Sequence, residues 1–193
     1  MLYPAGLQGH NNYLYSILLH LTRTLSFAML FLEEKMQIHA TDIEWQKKGI
    51  LFIGKSGYGK STAALLLMEK GAKLIADDQV ILTLNKKRCI ATCADTIKNK
   101  MEVRGIGVVD VEAKRKTSVD LVVFLTKKAE DVPRMPEAQY WNFVDVRIPA
   151  ITLCAFENAF CQRLNIAIKT LLSFCLPKQY KCARTKNNKR GKK

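Results

Sequence analysis

The eight residues Gly54-Lys55-Ser56-Gly57-Tyr58-Gly59-Lys60-Ser61 carry the densest chemistry in the chain. Gly54, Gly59, Lys60 and Ser61 satisfy the spacing GxxxxGK[ST] of a phosphate-binding loop. The glycines let the backbone turn tightly and approach an anion, and successive N–H groups then point inward as a nest. A helix beginning at Lys60 would add its positive N-terminal end. In this pattern Lys60 reaches the β and γ phosphates of ATP or GTP, and the Ser61 hydroxyl sits on Mg²⁺.

Three further groups could serve such a site. Asp77 and Asp78 close the apolar run Lys73-Leu74-Ile75-Ala76. Carboxylates there can hold Mg²⁺ or its waters, or take a proton from an attacking hydroxyl. Read locally, the same pair fits a solvated turn. In Met101-Glu102-Val103-Arg104-Gly105-Ile106-Gly107, Glu102 could be a metal ligand and Arg104 could offset charge on a transferring phosphate. A surface ion pair before a glycine turn explains the same composition. His39 precedes the strand that leads into the loop, and a hairpin could return it to the phosphates. A lone histidine also fits a structural role.

The elements that must position these groups are legible as patterns. Gly49-Ile50-Leu51-Phe52-Ile53-Gly54 reads as a buried strand. Residues 60–70 are rich in Ala and Leu and stop at Gly71, as a helix does. Residues 73–76 read as a second strand, and 79–84 continue extended. Strand, glycine loop, helix and strand therefore follow in the order that the loop requires. Further on, 108–111 reads as a short strand, 113–118 as a mobile basic loop, and 119–125 as a central strand. Residues 127–140, with Pro133 and Pro136, read as a loop, and 147–153 as a final strand. Phe160, Leu164, Ile166, Ile168, Leu171 and Leu172 recur at helical spacing within an amphipathic helix over 158–174.

Composition bounds the rest. A chain of 193 residues with 48% apolar residues accommodates one domain and a real core. The net charge is +14, of which +8 falls in residues 178–193, a stretch with no acid. That stretch reads as a solvated, disordered tail. No RNA-binding motif accompanies it, so nucleic acid is not an expected partner. The six cysteines form no CxxC pair and have no histidine at zinc-ligand spacing. Cys89 and Cys93 could share a helix face, but two ligands do not close a zinc site. The thiols read as reduced and cytosolic. The apolar stretch 13–32 is interrupted by His20 and Arg23. It admits three readings: a docking helix, a weak membrane anchor, or an extension upstream of a start at Met36. A membrane is not an expected partner.

Taken together, Ile38-His39-Ala40-Thr41, the loop 54–61, Gly71 to Asp78 and Met101 to Gly107 resemble the catalytic domain of the bacterial HPr kinase/phosphorylase family. The resemblance covers roughly residues 36–175. It implies an α/β fold, a P-loop nucleotide-binding core like that of phosphoenolpyruvate carboxykinase, with a mixed β-sheet and flanking helices. It implies a cytoplasmic kinase that uses ATP and Mg²⁺ to phosphorylate a serine of HPr, the phosphocarrier of the sugar phosphotransferase system. It also implies a homo-oligomer, a hexamer in this family. Carried onto this chain, the loop Gly54, Lys55, Ser56, Gly57, Tyr58, Gly59, Lys60 and Ser61 binds the nucleotide. Ser61 and Glu102 bind Mg²⁺. Asp78 accepts the serine proton beside Asp77, with Lys60, His39 and Arg104 assisting.

The chain departs from the family in three places. Its length leaves no room for the N-terminal domain of longer members, so it resembles the short proteobacterial form. The expected organisation is an extension over 1–35, the catalytic domain over 36–177 and the tail over 178–193. Where longer members carry an arginine-rich segment, this chain has Thr152-Leu153-Cys154-Ala155-Phe156-Glu157-Asn158, and the reverse phosphorylase reaction is therefore not expected. Lys55 stands where many members have an acid. The rival readings are a P-loop kinase of another protein or metabolite, and a non-catalytic sensor that binds ATP.

Overall fold

The computed structural model describes residues 35–94 and 99–172. The basic tail and all but the last residue of the N-terminal extension lie outside the described residues. Eleven strands and two α-helices are described, in an order that confirms the α/β reading: β1 (Lys35–Ile38), β2 (Ala40–Trp45), β3 (Lys48–Ile53), α1 (Lys60–Met68), β4 (Lys73–Ala76), β5 (Val80–Asn85), β6 (Arg88–Cys93), β7 (Lys100–Val103), β8 (Gly107–Asp110), β9 (Lys116–Thr126), β10 (Gln139–Phe143), β11 (Val146–Cys154) and α2 (Phe160–Ala167). Nine strands form one mixed sheet along the path β1-β5-β6-β9-β3-β2-β4, with β11 joined to β9 and β10 to β11. Strands β7 and β8 form a separate hairpin.

Strand direction decides where a site can form. Strand β3 runs parallel to β9, and β9 parallel to β11. Strand β2 runs antiparallel to both β3 and β4, so β4 shares the direction of β3. Four strands therefore end at one edge of the sheet, and β2 begins there. Ligands of open α/β sheets bind at the carboxyl ends of parallel strands. That edge collects His39 before β2, the loop after β3, Asp77 and Asp78 after β4, and the turn after β11.

The central strands are buried on both faces, which explains their continuous apolar runs. Ile50 and Phe52 of β3 pack with Leu67, Leu121, Val123, Phe160 and Leu164 on the helical face. Leu51, between them, packs with Val80, Leu82, Val122 and Ile148 on the other. A bulge at Asp120 lets Gly49 pair Val119 while Ile50 pairs Leu121. Asp120 accepts the Gly49 N–H at 3.0 Å. A Cβ at residue 49 would lie 2.1 Å from the Ser118 carbonyl oxygen, so glycine is required at this close approach. Helix α1 ends at Met68, two residues short of the expected span, and Gly71, at φ of +84°, closes the turn that follows. The Gly71 and Ala72 N–H groups return to the carbonyls of Met68 and Leu67 at 2.9 and 3.0 Å, satisfying the helix end.

Several expectations are corrected. Residues 113–118 are not a mobile loop. Strand β9 already begins at Lys116. The Lys114 ammonium pairs with Glu44 at 2.6 Å, and the Lys114 N–H donates to the Leu74 carbonyl at 2.8 Å. The expected loop 127–140 ends in strand β10, which pairs with β11 from Gln139 to Phe143. Cys89 and Cys93 lie on strand β6, not on a helix. Ile166 does not join the buried helical stripe of Phe160, Leu164 and Ile168 but is 60% exposed, because it falls half a turn away. The helix also widens to a π-helix over Ile168–Leu172. No described helix is long and apolar enough to cross a membrane.

Candidate active site

The loop after β3 is held from within. Gly57 and Gly59 adopt φ of +79° and +87°, the left-handed region where a side chain is strained. Gly59 has a second constraint, since a Cβ there would lie 2.9 Å from the Ala155 Cβ. Lys60, only 6% exposed, folds back over the loop and donates to the Gly54 carbonyl at 3.0 Å. Burial lowers its pKa, and the charges of Asp78 and Asp77 oppose that shift. The residue is therefore a poorly solvated cation held against the loop backbone.

His39 ties the loop to Asp78. Its Nε2 lies 2.9 Å from Lys60 Nζ, and its Nδ1 lies 3.1 Å from the Asp78 backbone carbonyl. With Lys60 as an ammonium donor, Nε2 accepts, so the ring proton sits on Nδ1 and is donated to the carbonyl. The β2–β3 hairpin makes this contact possible. Gln46 and Lys47 supply its two-residue turn at φ of 53° and 63°, and Ala40 pairs Ile53 at its open end.

Asp77 is buried, and its carboxylate is clamped from two elements. Thr41 Oγ1 of β2 donates to Oδ1 at 2.6 Å. Ser61 Oγ of α1 lies 3.1 Å from Oδ1 and 3.2 Å from Oδ2. Burial raises the pKa of Asp77, while the bonds from Thr41 and Ser61 pull it down. Asp78 follows at φ +64°, with the Gln79 N–H returning to the Asp77 carbonyl at 2.8 Å. Left-handed φ is uncommon outside glycine, and this tight turn aims the two adjacent carboxylates differently. Asp77 points inward to Ser61, whereas the Asp78 side chain is 59% exposed.

A cavity of about 390 Å³ unites these groups, lined by His39, Ser56, Gly57, Gly59, Lys60, Ser61, Asp77, Asp78, Glu102 and Arg104. The β7–β8 hairpin brings Glu102 and Arg104 to it, both exposed. Gly54, Lys55 and Tyr58 do not line it. Gly54 supplies the carbonyl that orients Lys60, Lys55 is exposed, and Tyr58 packs against the core. Sequence reasoning missed Thr41 as the Asp77 clamp, and missed Thr62, Leu65, Val103 and Phe156 as lining residues.

Among the described residues, no group of three or more His, Cys, Asp or Glu could hold a metal ion. The contact between Ser61 and the buried Asp77 nevertheless suits Mg²⁺, which binds through one or two protein oxygens and substrate phosphates. The arrangement combines a glycine loop of the phosphate-binding pattern, a desolvated cation, a metal-suited hydroxyl and an exposed carboxylate. It can hold a polyphosphate and take a proton from a nucleophile beside it.

Known proteins bear on the same residues. A family model described as the HPr Serine kinase C-terminal domain matches residues 31–165. The chain is 31% identical over 159 residues to the HPr kinase/phosphorylase of Caldanaerobacter subterraneus subsp. tengcongensis, covering 75% of this chain and 52% of that protein. It is 37% identical over 123 residues to the HPr kinase/phosphorylase of Chlorobium phaeobacteroides, covering 58% of this chain and 36% of that protein. The chain thus spans about half the length, or less, of these curated relatives. The solved structure of the Hpr(Ser) kinase/phosphatase from Coxiella burnetii superposes with a TM-score of 0.60 at 24% identity, over 72% of this chain and 94% of that one. That likeness establishes the fold.

Proposed function

The chain belongs to the HPr serine kinase C-terminal domain family, and on that basis we propose that it is a cytoplasmic kinase transferring the γ phosphoryl group of ATP to a serine of HPr. The observation that carries the chemistry is the clamped Asp77–Ser61 pair beside the exposed Asp78, all within one P-loop cavity. Ser61 would hold Mg²⁺ directly, with Asp77 orienting the hydroxyl and Glu102 a further oxygen from the hairpin. When bound, the ion neutralises charge on the β and γ phosphates.

The chain's own residues supply the remaining steps. The loop N–H groups and Lys60 fix the triphosphate. Asp78 accepts the proton of the serine hydroxyl as its oxygen bonds to the γ phosphorus, and the bond from that phosphorus to the bridging oxygen of ADP breaks. His39 positions Lys60 and the Asp78 backbone. Arg104 offsets charge on the group in transit. Such catalysis rests on positioning and electrostatics.

The test is incubation of HPr with the protein and ATP, with and without Mg²⁺, followed by mass spectrometry. The expected product is one phosphoserine that requires Mg²⁺. Tight ATP binding with HPr left unmodified would retain the P-loop reading and exclude HPr as acceptor.

A further inference from the structure

Phe156 lines the cavity, yet the phosphoryl-transfer reading gives it no task. Its side chain is 54% exposed, although its surroundings are firmly held. Ala155 is buried, the Glu157 N–H returns to the Cys154 carbonyl at 3.4 Å, and Glu157 pairs with Arg163 at 2.6 Å. The ring lies against the phosphate loop, since a Cβ at Gly59 would meet its Cζ at 3.1 Å. A half-exposed aromatic ring on firmly held backbone, beside the phosphate loop, is an unused stacking surface.

Strand order gives the site a direction. On one side of β3 lie β2 and β4, and on the other lie β9 and then β11. His39, Asp77 and Asp78 therefore flank the loop from the first side and Phe156 from the second. With Lys60 and the acids facing the terminal phosphate, Phe156 is the aromatic wall of the same cavity on the far side of β3 from Asp77 and Asp78.

We infer that Phe156 forms the stacking face of a nucleobase subsite. The inference rests on the nucleotide reading of the P-loop. Its ligand class is a nucleoside triphosphate with a planar base. Stacking tolerates any base, because every base has a π-face, so the subsite distinguishes a nucleotide from a bare polyphosphate more strongly than ATP from GTP.

The test titrates ATP, GTP and inorganic tripolyphosphate, each with Mg²⁺, into the full chain and its Phe156→Ala and Phe156→Trp variants. Alanine in place of a base-stacking aromatic weakens binding by about 5- to 150-fold. The expected result is such a loss for ATP and GTP in Phe156→Ala, with tripolyphosphate unchanged. Phe156→Trp should restore nucleotide affinity, and its added fluorescence should be quenched by ATP but not by tripolyphosphate. Equal ATP affinity in the wild type and Phe156→Ala overturns the inference. So does an equal loss for ATP and tripolyphosphate, which would mean that the ring only supports Gly59. A wild type that binds neither ligand would overturn the nucleotide reading itself, and this inference with it.

Discussion

Thr41→Val isolates the clamp on Asp77. The Thr41 side chain is buried, and its hydroxyl makes the shortest bond to that carboxylate, 2.6 Å. Valine replaces the hydroxyl by a methyl of similar size, so little cavity opens and the cost is mainly the lost bond. A hydrogen bond to a charged group contributes about 1.5–3 kcal/mol. Ser61 remains at 3.1 and 3.2 Å, so Asp77 keeps a partner and the lower part of that range applies, about 1.5–2 kcal/mol. A second consequence is electrostatic. Burial raises the Asp77 pKa, and Thr41 is the first of the bonds opposing it. Without that bond the pKa rises further, and the carboxylate is neutralised at a higher pH than in the wild type. The acidic limb of Mg·ATP binding should therefore move upward in pH. Urea unfolding at neutral pH measures the first effect, and calorimetric titration across the acidic-to-neutral range measures the second. Thr41→Ser keeps the hydroxyl and should stay near wild type. A Thr41→Val protein within about 0.5 kcal/mol of wild type, with an unmoved acidic limb, would refute the clamp.

Three other outcomes follow from the same packing. Asp42 is fully buried with neither carboxylate oxygen hydrogen-bonded, and burial, then Asp120, then Glu44 raise its pKa well above the ordinary value. Its contribution to stability is therefore fully present below the unfolded pKa, about 3.9, and is lost as pH rises toward the raised folded value. Asp42→Val should stabilise the neutral protein by about 1–3 kcal/mol, an advantage that shrinks in acid; urea unfolding at several pH values would show a destabilisation or a pH-independent difference if this is wrong. Gly59→Ala meets both the φ of +87° and the Ala155 Cβ. About 1–2 kcal/mol of backbone strain should weaken ATP binding by about tenfold or more, and unchanged affinity by calorimetry would contradict the packing. Arg104→Ala, at an exposed position lining the cavity, should slow transfer by about 10²-fold or more while leaving ATP affinity near wild type, and equal losses in both assays would assign Arg104 to ground-state binding instead.

Legibility in the chain is local. The phosphate loop announces itself because strand, glycines, Lys60 and helix are contiguous, and Gly71 marks the helix end by its own backbone freedom. Residues 119–125 read as a central strand because both faces are apolar. The start of β9 is hidden because Lys116, Thr117 and Ser118 are polar, and they become strand through β6, with which Ile90 pairs Ser118. Lys114 looks mobile in the sequence because its partner, Glu44, is 70 residues away. The candidate site divides in the same way. Asp77 and Asp78 are visible as a pair, but their different orientations arise from the turn at Asp78 and from Thr41, 36 residues earlier. Glu102 and Arg104 stand out by resemblance more than by composition, and the β7–β8 hairpin brings them to the cavity. Phe156 reaches the loop only through the order of β3, β9 and β11, which no local pattern encodes.

Asp78→Asn removes the proposed proton acceptor alone, because asparagine tolerates the left-handed backbone at this position while losing the basic carboxylate. Single-turnover transfer from γ-labelled ATP to HPr should be measured beside ATP affinity for the wild type and this variant. The expected result is a labelled serine with the wild type, and for Asp78→Asn near-normal ATP affinity with transfer reduced by about 10²- to 10⁴-fold. Transfer by Asp78→Asn at the wild-type rate would contradict Asp78 as proton acceptor, and a wild type that binds ATP but labels no serine of HPr would contradict the kinase assignment.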